Sequence, residues 1–276
     1  MTGLIVGLNR VFRRPNVGGR ESQEAYSRWE HHWGREFART YMDPRHDLRG
    51  KRVLDVGCGL GGKTVAYAES GARAVGIDLA ADNVEQSRRY AQANAAAVDF
   101  VVADAAALPV PDGTFDTVVA NDAMEHFADP VGALGEMARS VSGGGAIWIF
   151  FTPHYSPLGS HLYDYVYTPW CHLLFSRAQL AGAIRRVLME RGPAESNEAI
   201  DARVKKIMQS YDQDLNHMSV KRFLGIVRGV PSLRVSLLEL RPARYAWLRP
   251  LTRVPGLREL VSAFVICRLE VARGDA

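Results

Sequence analysis

The strongest constraint on the fold is the repeat of strand, turn and helix between Arg52 and Pro153. Residues 52–57 form a short β-rich run that stops at glycines, and 63–71 read as helix. Residues 73–78 are a second strand, and 83–95 a helix rich in good helix formers. Strands at 98–104 and 115–122, a helix at 129–141 opened by an Asp-Pro pair, and an apolar strand at 143–153 complete the series. Parallel strands joined by helical crossovers need both sheet faces covered, and right-handed crossovers wind such a sheet in both directions.

Outside that series the rhythm changes. Residues 1–14 carry Leu4, Ile5, Leu8, Val11 and Phe12 at helical spacing with Arg10, Arg13 and Arg14 behind them; they read as a docked helix or a membrane-surface helix, and not as a signal peptide. Residues 21–42 read as helix with Tyr26, Trp29, Trp33 and Phe37, either a lid or simple packing. After Pro153 comes an aromatic, irregular stretch, then helices at 176–191 and 199–213 separated by Gly192-Pro193, and strands at 233–240 and 262–271. The expected boundaries are an N-terminal helical lid (1–49), a cofactor-binding core (50–153), a helical and aromatic substrate cap (154–229) and C-terminal strands completing the sheet (230–276). The fold expected is α/β: a Rossmann-like, doubly wound, mostly parallel seven-stranded sheet with an N-terminal helical segment and a helical insertion after the fifth strand.

The sharpest motif is the glycine loop from Val53 to Gly62. Glycines suit an abrupt strand-to-helix turn and close approach of backbone to ligand, while the helix N-terminus offers unpaired N–H groups. Gly57, Gly59 and Gly62 also satisfy a dinucleotide-type spacing. Asp55, two residues before the first glycine, disfavours that alternative because a carboxylate there repels a pyrophosphate. It suits a ligand ammonium. Asp78 ends the second strand, 19 residues after Gly59, where its oxygens can accept from both ribose hydroxyls. Asp104 ends the third strand, placed for an adenine amino group.

The strings DVGCGLGG, GIDLA and DAAALPVPDGTFDTVVANDAMEHFADP, in that order and spacing, resemble the class I S-adenosylmethionine-dependent methyltransferases, in particular the group acting on small molecules and lipids. The resemblance covers 51–152 by motif and 230–272 by strand pattern alone. It implies S-adenosyl-L-methionine as cofactor. Asp55, Gly57 and Gly59 would then hold the methionyl end, Asp78 the ribose, and Asp104 with Ala105 the adenine. Asn121 would lie beside the methionyl portion and His126 near the methyl group. Cys58, Gly61 and Leu79 complete the expected cofactor contacts.

Methyl transfer is an in-line displacement at an activated carbon, so the protein mainly positions the acceptor, and a base helps when the acceptor is a hydroxyl or an acidic carbon. His154, just past the fifth strand, is the first candidate base, and His126 the second. Tyr155, Tyr163, Tyr167 and Trp170 form the candidate substrate surface, suited to an apolar or aromatic molecule; their competing role is to pack the insertion. The spacing of His154, His161, Cys171 and His172 matches no usual zinc template, so no metal is assigned. The acceptor reads as an oxygen or carbon of a small or lipid-like molecule. A protein on the same fold doing non-methylating chemistry, and a nicotinamide-dependent oxidoreductase, are the competing classes.

Charge argues against a nucleic-acid substrate. Residues 1–50 carry net +3, 51–220 net −6 and 221–276 net +7, so the motif-bearing middle is acidic. The fourth strand ends Ala120-Asn121-Asp122-Ala123, without the Asn-Pro-Pro-aromatic string of base amino methyltransferases. The basic ends suit a solvated surface or peripheral contact with an anionic membrane. No window has the roughly 18 consecutive apolar residues of a membrane span. Three widely spaced cysteines, Cys58, Cys171 and Cys267, fit reduced thiols and a cytoplasmic setting.

Overall fold

A computed structural model of the chain describes residues 2–12, 22–42, 48–191, 196–242 and 246–271. Arg13, Arg14 and the Gly192-Pro193 break lie outside the described residues. In chain order come α1 (Thr2–Val11), α2 (Gln23–Phe37), β1 (Arg52–Val56), α3 (Gly62–Glu69), β2 (Arg73–Asp78), α4 (Ala81–Ala93), β3 (Asp99–Val102), β4 (Phe115–Asn121), α5 (Pro130–Ser140) and β5 (Val141–Phe151). Then follow α6 (Cys171–Leu174), α7 (Arg177–Arg191), α8 (Asn197–Gln213), α9 (Val220–Arg228), β6 (Leu233–Pro242), α10 (Leu257–Val261) and β7 (Ser262–Val271). A π-helical turn (Ala38–Met42) extends α2, and a 3-10 helix (Ala246–Arg253) precedes α10.

The strands form one seven-stranded sheet of order β3-β2-β1-β4-β5-β7-β6. Pairing is parallel between β1 and β2, β1 and β4, β2 and β3, and β4 and β5. This is the Rossmann-like, mostly parallel sheet expected. Its inner strands are the near-continuous apolar runs that two covered faces require: Val53, Leu54 and Val56 of β1, and Val118, Val119 and Ala120 of β4, are fully buried. At the edge, β3 is only four residues long and exposes Val101 and Val102. The chain runs from β1 to β3 in one direction and resumes at β4 on the other side of β1. A crevice therefore opens at the carboxyl ends of β1 and β4.

The chain divides into two compact units. The first comprises Gly18–Phe151, Arg222–Glu239 and Ile266–Ala276. Its core sets Phe37 of α2 edge-on against Trp148 and Phe150 of β5, each 6.1 Å between ring centres. Helix α5 starts as its Asp-Pro pair predicts: the Asp129 carboxylate accepts from the N–H groups of Val131 (3.1 Å) and Gly132 (2.9 Å). The second unit comprises Met1–Val17, Thr152–Lys221 and Leu240–Val265. There Ile5 and Val6 of α1 share a core with Leu180 and Ile184 of α7 and Ile200 and Met208 of α8. Asn9 ties α1 to the irregular stretch, donating to the Tyr165 carbonyl at 2.6 Å and accepting from the Tyr167 N–H at 2.8 Å. The segment 1–49 is thus shared: α1 belongs to the second unit and α2 to the first.

Candidate cofactor site

The crevice of the first unit holds a cavity of about 610 Å³, bounded by the glycine loop, the carboxyl ends of β2, β3 and β4, and one face of α2. Two glycines shape its floor. Gly57 has φ +75°, and a Cβ there would stand 2.6 Å from the Cβ of Ala123. Gly59 has φ +58°, and a Cβ there would stand 2.9 Å from Oε1 of Glu30. Both backbones lie in the left-handed region that favours glycine, and at Gly57 the Ala123 Cβ also leaves no space for a side chain.

Asp78 is fixed before any ligand arrives. Its Oδ2 accepts from the Gly59 N–H at 2.9 Å, and its Oδ1 accepts from the Ala80 N–H at 2.9 Å and from Nδ2 of Asn83 at 3.1 Å. Asp78, Leu79, Asp104, Ala105, Asn121 and His126 all line the cavity. Oδ1 of Asp104 accepts from the Ala106 N–H at 2.9 Å. Asn121 is buried; its Nδ2 donates to the Tyr67 hydroxyl at 3.3 Å, while its Oδ1 has no hydrogen-bond partner among the described residues. A buried acceptor in that condition calls for a donor from outside the chain.

Asp55, Cys58 and Gly61 stand one layer below. Asp55 is 1% exposed and its Oδ2 accepts from the Thr64 hydroxyl at 2.6 Å. Burial raises its pKa to about 6. The Cys58 side chain packs with Val65, Val84, Tyr90 and Phe100, and burial pushes its thiol well up, so the thiol is inert packing. A Cβ on Gly61 would meet Ser87 at 2.7 Å, so that glycine serves the contact between loop and α4.

Glu30, Lys63 and Asp122, which have no assigned role at sequence level, line this cavity. Glu30 of α2 is buried and lines it, and its Oε2 accepts from the Gly62 N–H at 3.4 Å. Lys63 of α3 is buried, and its ammonium donates to the Asn121 carbonyl and to Oδ2 of Asp122, both at 2.8 Å. The Asp122 carboxylate, in direct contact, holds Lys63 charged against the cost of its burial. On Glu30 desolvation outweighs the nearby Lys63 charge and the Gly62 N–H and raises its pKa to about 8. The approach of α2 explains why these groups meet. A Cβ on Gly34 would stand 2.8 Å from the Lys63 Cα, and one on Gly62 only 2.2 Å from the Ser27 carbonyl oxygen. Two helices crossing at two glycines bring Glu30, midway between Ser27 and Gly34, onto the loop. A helical glycine on the same face as an acid is the one signal in the sequence that pointed there. Of the two lid aromatics, Tyr26 lines the cavity, whereas Trp33 packs edge-on against Phe150 at 5.7 Å.

The remaining expected residues belong to the second unit. His154 packs against His217 (4.4 Å between ring centres), Tyr155 (5.0 Å) and His172 (5.1 Å). Burial and the two neighbouring imidazoles lower its pKa to about 4. Tyr155 is exposed, and Tyr163 lies against His161. The Tyr167 hydroxyl bonds Arg191, and the Trp170 indole N–H donates to the Leu260 carbonyl at 2.9 Å. Among the described residues no group of three His, Cys, Asp or Glu side chains could hold a metal ion. No described helix is long and apolar enough to cross a membrane, and the three cysteines are free and buried.

Residues 54–149, which span this cavity's floor and walls, match the family model described as "Methyltransferase domain". That stretch of the chain is similar to methyltransferase domains. The chain is 38% identical over 116 residues to the ubiquinone biosynthesis O-methyltransferase of Thiobacillus denitrificans, covering 41% of this chain and 48% of that one. It is 40% identical over 117 residues to the demethylmenaquinone methyltransferase of Thermus thermophilus, covering 42% and 53%. The chain thus spans about half the length of these curated relatives. In three dimensions it resembles the PH0226 protein of Pyrococcus horikoshii, with a TM-score of 0.53 at 19% identity over 96% of this chain and 98% of that one, a likeness of fold. The cofactor of such a domain is S-adenosylmethionine. The residues fit it: a carboxylate fixed at the end of β2, glycines where a Cβ would fill the floor, and the free acceptor of Asn121.

Proposed function

We propose that this chain transfers a methyl group from S-adenosylmethionine to an oxygen or carbon of a small apolar or aromatic molecule. The observation that carries the reading is the fixed Asp78 carboxylate beside a floor that admits no Cβ at Gly57, within a stretch similar to methyltransferase domains. The quinone names of two relatives support an aromatic acceptor. When bound, the cofactor supplies an activated methyl group on a sulfonium. Asp78 takes the ribose hydroxyls, with Leu79 beside them. Asp104 and Ala105 take the adenine, and Asn121 with the glycine loop borders the methionyl end. His126 lines the same cavity and would border the methyl group.

Proton removal from the acceptor is assigned to His154. Its pKa of about 4 keeps the imidazole neutral and able to accept a hydrogen bond from the acceptor at physiological pH, while making it a weak base. Tyr155 and Tyr163 offer ring faces to the acceptor. Tyr167 and Trp170 hold the segment in place through Arg191 and Leu260 and lend their ring surfaces. The acidic balance of residues 51–220, net −6, supports a small-molecule acceptor over a nucleic acid.

The test is transfer of label from methyl-labelled cofactor to a demethylated quinol. Label should enter the organic-soluble fraction, and His154→Ala should lower turnover about 100-fold or more with S-adenosylhomocysteine affinity unchanged. Tight thioether binding with no transfer to quinols, phenols or cell extract would replace this reading by a non-methylating role.

A further inference from the structure

We propose that Glu30, brought to the cavity by α2, is the carboxylate that receives the α-ammonium group of the cofactor's methionyl end. This rests on the cofactor assignment above and deepens it, since motif resemblance points instead to Asp55. The geometry separates the two acids. Asp55 is spoken for by the Thr64 hydroxyl at 2.6 Å and does not line the cavity. Glu30 does line it, with Oε1 over Gly59 and Oε2 on the Gly62 N–H.

Glu30 also has no direct ion-pair contact among the described residues. The one ammonium in the cluster, Lys63, is bonded to Asn121 and Asp122, and among the described residues no cation forms an ion pair with Glu30. A carboxylate in that state is held protonated by desolvation. The charged groups around it are Lys63 from α3, Asp55 from β1 and Asp122 after β4. Tyr90 of α4 and Cys58 of the loop feel its charge in turn. Lys63 favours ionisation of Glu30, and the two aspartates oppose it. An arriving ammonium supplies the missing partner. Glu30 then gives its proton to solvent, and a carboxylate–ammonium pair forms across the cavity. No such pair forms with a ligand that ends at the thioether.

Calorimetric titration with S-adenosylhomocysteine and with 5′-methylthioadenosine, which keeps the nucleoside thioether but has no amino-acid end, tests this. For the native chain, S-adenosylhomocysteine affinity should rise several-fold from pH 6 to pH 8. Proton release should register as a dependence of the binding heat on buffer ionisation enthalpy. Glu30→Gln, isosteric and free of the buried-acid penalty, should weaken S-adenosylhomocysteine about 10- to 100-fold. It should also abolish the pH slope and leave methylthioadenosine affinity as it was. Equal loss for both ligands would make Glu30 a structural residue, and no loss for either would return the ammonium to another group; each overturns the proposal. A native chain that binds neither thioether would overturn the cofactor assignment itself, and a thermal melt of Glu30→Gln confirms that the variant is folded.

Discussion

Asp78 accepts three hydrogen bonds from its own chain, from Gly59, Ala80 and Asn83, all within 3.1 Å. Its cost of orientation is therefore met during folding, so the proposed ribose acceptor stands in position before a nucleoside arrives. Replacing it with alanine removes the ligand's acceptor and frees the Gly59 N–H together. Asp78→Ala is expected to weaken S-adenosylhomocysteine binding by about 1–3 kcal/mol, read by calorimetry. Native affinity in that variant would separate Asp78 from the nucleoside. Asp55 shows the contrast. It occupies the motif position, yet it is 1% exposed and engaged by Thr64, so its work is to hold the turn from β1 into α3.

The crossing of α2 on α3 decides where the cavity's far wall stands. Close approach at Gly34 and Gly62 leaves no room for a methyl group, and Ser27 adds a hydrogen bond from its hydroxyl to the Leu60 carbonyl at 3.3 Å. His31 fastens the same helix, reaching the Tyr90 hydroxyl at 2.9 Å and the Glu69 carboxylate at 2.8 Å. Gly62→Ala would place a Cβ 2.2 Å from backbone oxygen, so α2 must move outward and carry Glu30 with it. The expected cost is about 1–3 kcal/mol in urea unfolding, with a parallel loss of S-adenosylhomocysteine affinity. Unfolding at the native midpoint, with affinity retained, would show that the helices tolerate a wider spacing.

Buried ionisable groups give the whole molecule a pH signature. Glu30 and Asp55 have pKa values raised to about 8 and about 6, so the folded chain keeps protons that the unfolded chain releases near pH 4 to 5. Their contribution is intact in acid and is lost as pH rises through those values. His154, lowered to about 4, acts in the opposite sense and costs stability as pH falls from about 6.5 towards 4. Above pH 7 only the Glu30 contribution of these three still changes. The cofactor-free protein should therefore lose melting temperature between pH 7 and pH 8.5, and Glu30→Gln should abolish that loss. A flat profile in the native chain would mean that Glu30 ionises without penalty.

Periodicity and glycine placement in the chain settle the architecture, because parallel strands covered on both faces can only be written as apolar runs punctuated by glycines and helices. The motif acids likewise fall at strand ends that topology brings to one crevice, as Asp78 and Asp104 do. What stays hidden in the linear order is which acid faces the cavity. Asp55 carries the motif and lies beneath the loop, while Glu30 sits in a charged helix where it looks like one solvated side chain among several. Solvent exposure depends on how closely two helices approach, and that distance is set by packing between residues far apart in the chain.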